Sequence, residues 1–202
     1  MIPMRDLLPN RDADTTLRRR VGVDPLPSDA VLVGEARNGS RNAAGALFDR
    51  HWPGAWRLAV AVTGRRDMAD DVVQDAFERA FAALTRFDAS RPFAPWLHRI
   101  VVNRSLDLLR SERRLVGLDA TGPMIAPDEG RATAGDRALL EAVARLNPQR
   151  RVVVVLRYGI GYSPAAIAAL LELPVGTVHS RLARALEDLR EPTAGGFDAE
   201  RA

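Results

Sequence analysis

The chain has 202 residues, enough for one domain or two small ones, and 47% are hydrophobic, enough to fill real cores. It carries 29 basic and 26 acidic residues for a formal net charge of +3, and every basic residue is arginine, a fixed cation whose planar fork suits phosphate and guanine. With no cysteine there is no disulfide, thiolate metal site or cysteine catalysis; with neither a bilayer-length apolar run nor a basic-then-apolar start, a cytoplasmic protein without membrane insertion is expected.

Residues 1–27 mix Pro, Asp and Arg without a sustained period and read as a flexible N-terminal tail. Ser28 is placed to cap a helix reaching about Asn38, with Val31, Leu32 and Ala36 inward and Gly39 ending it. Ser40 caps the next helix, Trp52 and Pro53 mark a bend, and an apolar pattern continues to Thr63 and Gly64. Residues 66–86 form the most regular helix, with Ala69, Val72, Val73, Ala76, Phe77, Ala80 and Leu84 at i, i+3, i+4 spacing. Its segment from Asp67 to Glu78 holds five acids and no base. Asp67, Asp70 and Asp71 suit the positive end of a helix dipole, which explains them without function. Asp75 and Glu78 lie further along and are expected to be exposed. They suggest a protein partner with a basic surface.

Pro92 and Pro95 interrupt the pattern before a second amphipathic helix, Trp96 to Arg114. Its five arginines (99, 104, 110, 113 and 114) exceed Asp107 and Glu112 by three charges. Phe93 and Trp96 beside these cations are the ingredients for holding unstacked bases on a phosphate-binding surface, although each ring also fits a plain core role. Residues 115–135, rich in Gly and Pro, read as a flexible linker between two small helical domains, 28–114 and 136–191, before a C-terminal tail over 192–202.

After the linker, Leu139, Leu140, Val143 and Leu146 mark a helix, and Asn147-Pro148 starts another. Val152–Val155 followed by Gly159-Ile160-Gly161 imitate the strand and turn of a dinucleotide site. The sixth motif position is Pro164, no second strand ends in an acid, and no other strand signal exists to build a parallel sheet. The valines are therefore assigned to a helix, and the fold class is all-α. Ser163 caps a short helix with Pro164 in its first position; Pro174 separates it from a second helix whose Val175, Val178, Leu182 and Leu189 face inward. Thr177, Ser180, Arg181 and Arg184 share another face with His179 at its edge. Small, polar and cationic, that face suits a recognition helix in a DNA major groove; an ordinary helical hairpin with a solvated face stays open as the alternative.

No catalytic constellation is present. His51, His98 and His179 sit in separate segments, GxSxG and the phosphate-loop motif are missing, and neither enzymatic activity nor a cofactor is expected.

In order along the chain, three stretches resemble the extracytoplasmic-function (ECF) sigma factors of bacterial RNA polymerase: Asp71-Val72-Val73-Gln74-Asp75-Ala76-Phe77; Phe93 with Trp96-Leu97, Ile100, Asn103, Asp107 and Arg110; and Leu146, Pro148, Arg151 and Val153 followed by Pro174-Val175-Gly176-Thr177-Val178-His179-Ser180-Arg181-Leu182. The resemblance covers residues 28–190. It implies that Asp71, Gln74, Asp75 and Glu78 bind core polymerase at the clamp helices of the largest subunit, with the flap as a further contact. It also implies that Phe93, Trp96, Arg99, Asn103, Arg104 and Arg110 recognise and melt the −10 element. Thr177, His179, Ser180, Arg181 and Arg184 would read the −35 element, and an anti-sigma factor would be the regulator. Glu172 stands in the turn where the family commonly has Gly. A left-handed backbone there costs on the order of 1 kcal/mol, so a wider turn is expected. His179 replaces the usual Lys, and Val102 a small or basic residue. The alternative is a stand-alone helix-turn-helix regulator in which residues 28–114 sense or dimerise, although no heptad seam supports it.

Overall fold

The protein is described here by a computed structural model that covers residues 27–116 and 134–194. Every regular element among them is helical: α1 (Asp29–Arg37), α2 (Arg41–Thr63), α3 (Ala69–Ala83) with a 3₁₀ turn (Leu84–Arg86), α4 (Phe93–Val116), α5 (Ala134–Arg145), α6 (Pro148–Val154) running into a π-helical turn (Val155–Ile160), α7 (Pro164–Leu171) and α8 (Val175–Ala194). The N-terminal tail, most of the linker and most of the C-terminal tail read from the sequence lie outside the described residues.

Local signals account for most boundaries. Ser28, Ser40 and Ser163 each accept a hydrogen bond from the backbone N–H three residues on, and Asn147 accepts from Gln149 N–H. Pro148 and Pro164 occupy first-turn positions where no donor is needed. Gly64 closes α2 in the left-handed region at φ 75°.

Pro53 lies inside a helix. The α2 helix runs through it without a break. Its missing N–H forfeits one ladder bond, but Leu47, Ala55, Leu58, Ala59 and Val62 on both sides are buried against the other helices, and that burial outweighs the loss. Around α2, the core of the N-terminal half is built from Leu32 and Val33 of α1, Val72, Val73, Ala76 and Phe77 of α3, and Leu97, Val101 and Val102 of α4. Val102, where the family resemblance expected a small or basic residue, is a fully buried core residue. Arg65 ties the α2–α3 turn to α4 through Glu112 (3.0 Å) and also pairs with Asp67, whose carboxyl that guanidinium holds below its ordinary range.

The four valines lie in α6 and its π turn, all buried, as the Asn-Pro start predicts. With Val143, Leu146, Leu156, Ile167, Val178, Leu182 and Ala185 they make the core of the second half, which continues into that of the first. Arg151 anchors the junction. Its guanidinium donates to the carbonyls of Ala144, Leu146 (3.1 Å) and, across to the end of α2, Val62 (2.9 Å).

Candidate nucleic-acid interface

The α7–α8 pair forms a helix-turn-helix. Contrary to the wider turn expected, Glu172 itself takes the left-handed conformation (φ 54°), and Leu173 N–H reaches back to Ala168 C=O at 2.9 Å, so the turn stays tight. In α8, Val178, Leu182 and Ala185 are buried against the second core, while Val175, expected inside, is 43% exposed at the first helical position. The opposite face is left open. His179, Ser180 and Arg184 are exposed, and Thr177 and Arg181 are half-buried at its margin. Ser180 Oγ donates to Thr177 C=O (3.0 Å) and retains its lone pairs as acceptors.

On α4, Trp96, Arg99, Asn103 and Arg110 follow one another at steps of three, four and seven residues and fall on one stripe, with Arg104 on its flank. Asn103 and Arg110 are exposed; Trp96, Arg99 and Arg104 are half-buried. The cations carry carboxylate partners here: Arg99 with Glu172 (2.7 Å), Arg110 with Asp107 (2.6 Å), and Arg104 with Asp75. Trp96 lies against Phe87 (ring centroids 4.5 Å) and Phe93 (5.6 Å), so one side of its ring is committed to an aromatic cluster. Phe93 is 1% exposed and belongs to the core, where it also borders a cavity of about 360 Å³. That cavity lies between the start of α1 (Asp29, Val33) and the loop before α4 (Phe87, Ser90, Arg91). The loop is shaped by Asp88, whose carboxylate accepts from both the hydroxyl and the N–H of Ser90 and is held below its ordinary range mainly by those bonds. Phe87, Ser90 and Asp29 were not singled out from the sequence; the only available signal was an aromatic preceding a polar, proline-bounded loop.

The acidic run divides in the structure. Asp71, Gln74 and Glu78 are exposed at i, i+3 and i+7 along α3 and share one face. Asp75 does not belong with them. It is drawn toward α4 between Arg79 (3.0 Å) and Arg104, and is half-buried rather than exposed as expected. A carboxylate one position off the outward face lies within reach of the neighbouring basic helix, and charge pairing takes it there. Asp70 likewise accepts from Trp56 Nε1 (3.1 Å), supporting the aromatic flank of α2.

This architecture has counterparts. Residues 47–115 match the family model for sigma-70 region 2, and residues 136–189 that for sigma-70 region 4. The chain is 34% identical to the RNA polymerase sigma factor CnrH of Cupriavidus metallidurans over 81% of its own length and 93% of that protein's. It is 36% identical to the ECF RNA polymerase sigma factor SigL of Mycobacterium tuberculosis over 72% and 85% of the two chains. The solved structure of CnrH in complex with the cytosolic domain of CnrY superposes with a TM-score of 0.63 at 30% identity, covering 84% of this chain and 99% of that one. The sigma factor RpoE of Bartonella quintana shares the fold, with a TM-score of 0.65 at 24% identity over 75% of this chain and 97% of that one. Both halves match sigma regions, so the stand-alone regulator is not favoured. The chain belongs to the ECF sigma factors of the sigma-70 family, the subunits that direct bacterial RNA polymerase to specific promoters.

Proposed function

We propose that the two halves divide a promoter between them. The open face of α8 enters the major groove of the −35 element, where Arg181 and Arg184 meet guanine edges or phosphates and Thr177, His179 and Ser180 complete the polar contact. The observation that carries this reading is the division of α8 itself, with an apolar face buried against α6 and α7 and a polar, cationic face left uncovered. The α4 stripe of Trp96, Arg99, Asn103 and Arg110, with Arg104 beside it, tracks the −10 strand as it melts. A flipped non-template base enters the cavity bordered by Phe93, Phe87 and Ser90. Asp71, Gln74 and Glu78 dock on the basic clamp helices of core polymerase, with Asp75 holding α4 in place behind them, and the helix-turn-helix half meets the flap. The chain supplies recognition and no chemistry of its own, and it works where polymerase works, in the cytoplasm.

CnrH was solved in complex with the cytosolic domain of CnrY, and the RpoE of Bartonella quintana with the anti-sigma factor NepR; an anti-sigma factor is assigned as the regulator of this chain too. Arg181→Ala tests the −35 assignment. A bidentate guanine contact costs about 1–3 kcal/mol of promoter affinity and relaxes preference at one base pair; an equal loss on every promoter reassigns Arg181 to a phosphate.

A further inference from the structure

Among the described residues, three polar contacts between the C-terminal half and the N-terminal one stand out beside the shared apolar core. Arg151 reaches Val62 C=O, Tyr162 Oη lies 2.9 Å from His98 Nδ1, and Glu172 Oε1 lies 2.7 Å from Arg99 Nη2. The last two fall on consecutive residues of α4, against which α7 packs. Glu172 is also the only described non-glycine residue with positive φ, a conformation that costs an L-residue on the order of 1 kcal/mol and that glycine would adopt freely. The carboxylate at this position therefore stands in the turn at a conformational disadvantage, and its contact is with a cation on the −10 face.

We propose that Glu172 is an intramolecular stand-in for a DNA phosphate, occupying Arg99 in the free chain and biasing the helix-turn-helix half to rest on the −10 surface until promoter DNA displaces it. The inference rests on the assignment of Arg99 to the −10 strand. A carboxylate and a phosphate make the same kind of charge-assisted bond to a guanidinium, so one excludes the other. The side chains of Arg99 and Glu172 are 39% and 67% exposed, which makes the pair weak and screened by salt. Weakness suits the role. A buried pair would resist DNA, whereas an exposed one shifts a balance by a small factor and yields to several phosphates arriving together. The closed form leaves His179, Ser180 and Arg184 exposed, so it masks part of the −10 surface and not the −35 face.

The chain contains no cysteine, so two can be introduced cleanly for spin labels at Arg41→Cys and Glu187→Cys, both exposed and outside the proposed contacts. Distance distributions by pulsed electron resonance on the full chain should show a short-distance population in the parent. Glu172→Gln, which keeps the backbone and removes the charge, should raise the open-to-closed ratio roughly two- to fivefold. The swapped pair, Arg99→Glu with Glu172→Arg, should restore closure. Adding a short single-stranded oligothymidylate at low salt should open the parent and change Glu172→Gln much less. An unchanged distribution in Glu172→Gln, no short-distance population in the parent, no rescue by the swap, or no response of the parent to the oligonucleotide would each overturn the proposal. Transcription with core polymerase is read in parallel on the unlabelled chain. Glu172→Gln should keep the same start sites. Absence of any promoter-directed transcript would remove the −10 assignment itself, whatever the distances show.

Discussion

Asp75 and Glu78 are three residues apart on α3, yet one is held between Arg79 and Arg104 and the other faces solvent with Gln74 beside it (3.2 Å). Their substitutions should separate. Asp71→Arg and Glu78→Arg should weaken affinity for core polymerase, measured by competition against another sigma factor, with the melting temperature unchanged. Asp75→Asn should lower stability by about 1–2 kcal/mol in urea unfolding, because it leaves a half-buried guanidinium without its charged partner. Equal loss of core affinity in all three with no stability change would return Asp75 to the docking face. The family resemblance put all four α3 residues in one group, and helical spacing could not separate them because it specifies a face only to within a residue or so. It does not report the cation that a neighbouring helix brings alongside.

At the scale of elements, the junction between α2 and the second half depends on two residues that fit together. Gly64 has φ 75°, and a Cβ built there would lie 3.1 Å from Arg151 Nη1. Gly64→Ala should therefore cost about 1–2 kcal/mol from backbone strain alone, with a further loss as the guanidinium shifts off Val62 C=O. A thermal melt checks this: a loss no larger than the backbone strain alone would mean that Arg151 relaxes freely and does not set the junction, and no loss at all would contradict the strain itself. The helices themselves were legible in the sequence. The serine caps, Asn147-Pro148 and the amphipathic periods of α3 and α4 are local, and local signals survive folding. Pro53 shows the converse. Its effect is local, but the burial that carries α2 through it comes from helices distant in the chain. The reach of Arg151 to Val62, 89 residues away, has no local signature at all.

For the whole molecule, the organisation visible in the sequence was an acidic helix followed by a basic one in the first half and a helix-turn-helix in the second. The structure keeps that order and adds a relation between the halves. Glu172 drew notice in the sequence as a departure from glycine, but its partner Arg99 was assigned only to DNA; pairing across the chain appears only once α7 is packed on α4. The central claim is that this chain gives core polymerase a promoter choice read by two separate surfaces. Run-off transcription with bacterial core polymerase on a genomic promoter library tests it most directly. The account predicts new start sites sharing two spaced upstream elements, with Arg181→Ala altering selection only at the −35 element and Asn103→Ala only at the −10. Start sites sharing a single element, or a chain that binds duplex DNA tightly and never engages core polymerase, would contradict it.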